Sequence, residues 1–356
     1  MNSKERVKIT MAHEEADRIP MNFRATDQII HKMARQMCTD YFGILHRYHV
    51  DFREVTPPYI GPKFLMADDG SQIDMWGVGR KEIITEITSD VMITINPLKD
   101  ADSIEEIKNH KWPRAEWFDF SIIKPMCHDF REYAISTPGI HIEGYHGVFH
   151  LLTYLFGMEK TMLYLVTKPE LLKAAVKEIM KFFTKYYERL FESAEGMIDL
   201  LFYKDDFGSQ NNLLIGPDTF KEFFYPNIRA LSDLAGNYGA SLMLHSCGSV
   251  IKLIPEFIKA GTIVLDPIQV TAKDMDIREL KRRFGDEITF HGGIDVQHLM
   301  PFGSIDEIKI AAKETIDVLG KNGGYFFSPS HRFQPDTPVA NIIALYDAAS
   351  EYGRYH

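Results

Sequence analysis

Cysteine is scarce in this chain. Its 356 residues hold three, Cys38, Cys127 and Cys247. These are too few and too scattered for a disulfide framework, so a reducing, cytoplasmic setting is expected. No apolar run approaches the roughly 20 residues of a membrane span, and residues 1–6 lack the apolar stretch of a signal peptide. No membrane association is therefore expected. Positive charge is also short: Lys+Arg 40 against Asp+Glu 50 leaves a formal net charge of −10. That balance disfavours non-specific nucleic-acid binding, which needs excess cation to displace counterions. No G-x-G-x-x-G follows an early strand, which counts against a dinucleotide fold. The sequence has no repeat of fixed period and no low-complexity tract.

What is present suits a large packed core: 45% of residues are hydrophobic and 25% charged, ordinary values for a globular protein. From Gly139 onward, short apolar strands alternate with helices. Strands are expected at 139–144, 198–203, 241–244, 263–265, 288–291 and 325–327, with helices between them and a last helix at 339–352. Such alternation indicates a parallel sheet covered by helices. Strands at 19–23 and 50–55 bring the count to about eight, the number of a closed α/β TIM barrel. A doubly wound open sheet is the alternative. Helices at 3–13 and 26–47 form an N-terminal helical extension. The stretch 51–120 carries Asp69-Gly70 and Trp76-Gly77-Val78-Gly79, turn chemistry that predicts a β-hairpin insertion covering one end. The chain is expected to be one TIM-barrel domain over residues 1–356.

The segment Leu244-His245-Ser246-Cys247-Gly248 carries the clearest chemistry. Residues i and i+2 of a strand share a face, so His245 and Cys247 aim at one point. Nitrogen with sulfur suits zinc. The other expected strand ends carry Arg24; Glu143, Tyr145 and His146; Asp205 and Asp206; Asp266 and Gln269; His291 and Asp295; and Ser328 and His331. Singly, each has a bland reading: a hydrogen-bonded loop histidine, a helix cap at Asp205-Asp206, a turn at Asp295 with Gln297. Their coincidence at strand ends points to one active site, because barrel chemistry collects there. Glu143 or Asp206 could complete a metal tetrahedron, or protonate a leaving group. Aromatic residues such as Tyr145 and Phe207 would suit an apolar substrate if they line the pocket and not the core.

Four segments resemble the uroporphyrinogen decarboxylase superfamily. They are His245-Ser246-Cys247-Gly248, Leu265-Asp266-Pro267-Ile268-Gln269, Phe290-His291-Gly292-Gly293-Ile294-Asp295, and the run from Ser328 through His331 to Pro338. The resemblance covers nearly the whole chain and implies a TIM barrel. The superfamily contains uroporphyrinogen decarboxylases, corrinoid-linked methyltransferases and, more distantly, cobalamin-independent methionine synthases. The decarboxylases carry an early arginine-rich signature for carboxylates, of which this chain retains only Arg24. The methyltransferases bind zinc through His-x-Cys and a distant third Cys. His245 and Cys247 match the first two, and His331 stands where the third is expected, although decarboxylases are similar in having His there. Methionine synthases add a Glu ligand near Gln269, which is read here as supporting or substrate-facing.

The resemblance thus implies a zinc-dependent methyltransferase with His245, Cys247 and His331 on the metal. Asp206, Glu143 and Tyr145 are its candidate catalytic residues, and Arg24, Gln269, His291 and Phe207 its candidate substrate contacts. It would move a methyl group between a small O- or N-methyl compound and a corrinoid. The chain has no Asp-x-His-x-x-Gly, so the corrinoid (cobalamin) is expected on a separate protein. A homodimer is implied by relatives. The alternatives are a metal-independent decarboxylase of uroporphyrinogen or a related carboxylated pyrrole, and a non-catalytic binding subunit.

Overall fold

The computed structural model describes residues 1–86, 89–138 and 147–355. The strands among the described residues are β1 (Phe52–Glu54), β2 (Leu65–Met66), β3 (Gln72–Ile73), β4 (Gly79–Ile84), β5 (Ser89–Ile95), β6 (Ala134–Pro138), β7 (Leu200–Lys204), β8 (Ser241–His245), β9 (Thr262–Ile268), β10 (Thr289–Ile294) and β11 (Tyr325–Pro329). Seven of them form one curled parallel sheet in the order β1-β6-β7-β8-β9-β10-β11. The others form an antiparallel sheet in the order β2-β3-β4-β5. The hairpins expected from the Asp69-Gly70 and Trp76-Gly77 turns are therefore present. Both turn glycines have positive φ, which glycine adopts without steric cost.

Several boundaries differ from expectation. The strand near residue 50 is β1, an edge of the parallel sheet, so the insertion begins after it and not at residue 51. The strand expected at 139–144 lies outside the described residues, and the strand preceding it is β6. The helix expected over 26–47 is two, Asp27–Met37 and Tyr41–Arg47. Cys38 closes the first in a left-handed conformation, and Asp40 caps the second by accepting from Gly43 N–H. Residues 20–22 do not form a regular strand. They nevertheless link the two edges of the parallel sheet: Asn22 N–H donates to Phe327 O, Phe327 N–H to Pro20 O, and Asp51 N–H to Met21 O, each at 2.8 Å.

Period-2 alternation decides what the sheet encloses. Phe52, Ala134, Phe202, Met243, Val264 and Phe326 point into one interior cluster. Val7, from the helix Ser3–Met11, packs into the same cluster, so the N-terminal helix plugs the amino ends of the strands. Two residues further along, the same inward register presents Glu54, Lys204, His245, Asp266 and Ser328. The apolar layer thus supports a polar layer at the carboxyl ends. Among the described residues, no helix is long and apolar enough to cross a membrane.

Candidate metal centre

The polar layer is organised around Asp266, which is fully buried. Its carboxylate accepts from Arg24 Nη1 at 2.9 Å on both oxygens. It also bonds His245 Nδ1 through Oδ2, and His291 Nδ1 through Oδ1 at 2.5 Å. Burial alone would raise this carboxyl. Arg24, His245 and His291 outweigh it and hold the group well below the usual carboxylate range. With Nδ1 committed to Asp266, His245 presents Nε2 to the site. That carboxylate–imidazole arrangement fixes ring orientation and tautomer at metal sites.

Asp206, His245 and Cys247 place one donor atom each within 4.8 Å of one another. His245 Nε2 lies 3.3 Å from Cys247 Sγ and 3.5 Å from Asp206 Oδ1. Tetrahedral zinc with bonds of about 2.0–2.3 Å separates its ligands by roughly 3.3–3.6 Å, so both separations from His245 fit the ion. Burial, with Asp206 and Asp266 nearby, pushes the Cys247 thiol well above its usual range. A bound cation reverses that balance. Burial would also raise Asp206, yet His245, His150 and the Cys247 N–H hold it below its ordinary value.

Two loops carry these donors, and glycine lets them meet. A Cβ on Gly208 would come within 2.6 Å of Cys247 O, and one on Gly248, at φ +88°, within 2.6 Å of Gly208 C. The loops are then stitched together. Cys247 N–H donates to Asp206 Oδ1 at 2.7 Å, Phe207 N–H to Ser246 Oγ at 2.9 Å, and Asp205 N–H to His245 O at 2.9 Å.

The remaining expected residues sort by position. His331 lies beyond the three-donor group, its ring centroid 6.3 Å from that of His245. Burial, with Arg24, His245 and Arg332, brings its pKa down to about 3. His291 is fully buried and lies beneath the site. Its Nδ1 engages Asp266 and its Nε2 meets Asn22 Nδ2 at 3.1 Å, so it positions Asp266 and has no face for substrate. Gln269 is likewise structural: Oε1 accepts from Gly248 N–H at 2.9 Å, and Nε2 donates to Gln210. Phe207 is fully buried in a core of Phe149, Phe220 and Phe224, because the Ser246 contact turns its loop inward. Arg24 lines the cavity, but its Nη1 is held by Asp266. Asp295 closes a turn by accepting from Gln297 N–H and His298 N–H. Glu143, Tyr145 and His146 lie outside the described residues.

Two residues escaped sequence reading. His150, in the helix Val148–Phe156, stands between Asp205 (3.2 Å) and Asp206 (3.6 Å). Asp205 accepts from the N–H groups of Phe149 and His150, so the cap belongs to the preceding helix and not to the following one. Lys204 ends β7 and is inward by the same parity as Phe202. That parity is the available signal, but the expected strand, 198–203, stops one residue short of it. Burial, then Arg24, brings the Lys204 ammonium down to about 8. Beside the donors opens a cavity of about 400 Å³ whose wall includes Arg24, Phe202, Lys204, His245, His331 and Arg332. Its aromatic lining is Phe23, Tyr41, Phe42, Phe52, Phe130 and Phe202.

A family model described as uroporphyrinogen decarboxylase (URO-D) matches residues 141–352, more than half of the chain. The chain is similar to the methylcobamide:CoM methyltransferase MtaA of Methanosarcina barkeri, with 26% identity over 59% of this chain and 58% of that protein. It is also similar to uroporphyrinogen decarboxylase of Coxiella burnetii, with 27% identity over 39% of this chain and 38% of that protein. The matched stretch thus spans less than two thirds of either relative. A solved methyltransferase from Methanosarcina mazei shares the fold, with TM-score 0.70, 16% identity and coverage of 99% of both chains.

Proposed function

This chain belongs to the uroporphyrinogen decarboxylase family, and on that premise we propose that it is a zinc-dependent methyltransferase. It moves a methyl group between a small O- or N-methyl compound and the corrinoid of a partner protein. One observation carries this reading: Asp206, His245 and Cys247 converge while Asp266 fixes the His245 ring. Similarity to a methylcobamide:CoM methyltransferase supports it. When bound, zinc would supply Lewis acidity toward the heteroatom bearing the methyl group.

The chain's own groups have distinct tasks in this reading. His245 and Cys247 hold the ion with Asp206. The depressed pKa of Asp206 suits a ligand and not a proton donor, since it is ionised at neutral pH. His331, kept neutral beside Arg24 and Arg332, borders the cavity as a hydrogen-bonding group and not as a cation. Protonation of the leaving heteroatom falls to Glu143 or Tyr145. We further propose that residues 20–22 act as the eighth strand of a closed barrel, supported by their bonds to Phe327 and Asp51. A cytoplasmic homodimer completes the reading.

In the decarboxylase alternative Arg24 and Arg332 would hold carboxylates; Arg24 is already paired with Asp266, which leaves Arg332 for that task. Metal content separates the two. About one zinc per chain, lost in His245→Ala and Cys247→Ala, is expected. Wild type that stays metal-free after zinc loading would reject the zinc chemistry.

A further inference from the structure

The cavity beside the donors is lined by two cations that no carboxylate among the described residues contacts. Arg24, Arg53, Lys204 and Arg332 line it against Asp27 and Glu54. Arg24 is balanced by Asp266. Arg53 turns away, donating to Val50 O and Phe52 O and lying 3.7 Å from the Tyr133 ring centre. The side chains of Lys204 and Arg332 have neither a hydrogen bond nor an ion pair among the described residues; Glu54 and Asp266 act on Lys204, and Asp90 and Asp27 on Arg332, only from farther off. The Lys204 ammonium instead lies 4.7 Å from the centre of the Phe202 ring. A cation taken out of water without an anionic partner is unfavourable, and a ligand carboxylate would relieve it.

We propose that Lys204 and Arg332 form an anion subsite beside the metal donors, and that the substrate carries a carboxylate which they bind. The inference rests on reading this cavity as the substrate site. Phe202 and Phe52 supply an apolar wall for the substrate body, and a volume of about 400 Å³ suits a small molecule. Arginine can engage a carboxylate with two parallel bonds, while lysine contributes a point charge. The methylated heteroatom would then lie toward His245, with the carboxylate toward Lys204.

The test is calorimetric binding of matched probes to zinc-loaded protein: 4-methoxybenzoate against 4-methoxybenzamide, and methoxyacetate against its amide. At least one acid should bind about tenfold or more tightly than its amide. Lys204→Met and Arg332→Met should each remove about tenfold of that acid's affinity and leave the amide's unchanged. Lys204→Arg should restore most of the loss. If neither acid binds more tightly than its amide, the subsite is rejected; the wild-type comparison suffices for this even if a variant fails to fold. An acid preference that survives both variants also rejects it, because the anion then sits elsewhere. Zinc content is read on the same samples. Missing metal with intact acid selectivity would overturn the methyltransferase reading and leave the subsite standing.

Discussion

Asp266 shows how one side chain can serve three others. It satisfies Arg24, fixes His245 and receives His291, all without exposure to water. Asp266→Asn keeps the shape but removes the charge that selects the His245 tautomer. Metal affinity measured by competition with a chelator should fall about 10–100-fold; an unchanged affinity would mean that the ring is held by packing alone. His331 makes a pH prediction for metal-stripped protein. Its folded pKa of about 3 lies below the unfolded value of about 6.5. Between these values the unfolded chain binds a proton that the folded chain does not. Stability from this group is therefore full above about pH 6.5 and declines as pH falls toward 3. His291 is lowered too and adds to the slope. The urea midpoint should drop between pH 7 and 4, and His331→Gln should flatten part of that drop. These roles were only half legible in the sequence. His245 and Cys247 declared themselves by spacing. Asp266 and Gln269 looked like site residues, but only their partners reveal that they position others.

At the scale of elements, the site depends on two loops approaching at Gly208 and Gly248. Gly248 has both a positive φ and backbone in the way of any Cβ, whereas Gly239, at φ +76°, has nothing within 4 Å. Gly239→Ala should therefore cost only its backbone strain, about 1–2 kcal/mol. Gly248→Ala should cost more and also lose zinc, because the Asp206 and Cys247 loops must separate. Equal unfolding midpoints for the two variants would contradict the close-approach argument. Strand and helix order was readable from apolar period; the helix Val339–Tyr352 matches the sequence expectation at both ends. The break at Cys38 was not readable, since a left-handed cysteine carries no compositional mark. Neither was the full length of β9, which runs on through Asp266-Pro267 to Ile268.

Across the whole molecule, stability and chemistry occupy opposite ends of the parallel sheet. At the amino ends, buried Asp51 accepts from Arg6 Nη1 at 2.6 Å, from Arg18 at 2.8 Å and from Met21 N–H at 2.8 Å. It joins the N-terminal plug helix to residues 18–21 and to the entry of β1. Removing one partner from a buried ionic cluster costs about 3–5 kcal/mol. Asp51→Ala should lower unfolding free energy by about that amount, with zinc affinity of the folded fraction unchanged. A parallel loss of metal affinity would show that the two ends are coupled.

The sequence by itself determined the alternation of strands and helices, the insertion of antiparallel hairpins, and the aim of His245 and Cys247 at one point. Each follows from local periodicity or turn chemistry, which the chain carries in neighbouring residues. Only the tertiary structure decided the rest. Asp206 joined the donor group while His331 stayed outside it, Phe207 turned into the core, and Lys204 turned into the cavity. Those outcomes depend on register between strands distant in sequence, such as Lys204 beside His245 and His245 beside Asp266. They depend also on how closely two glycine-bearing loops can pack, which no single segment specifies.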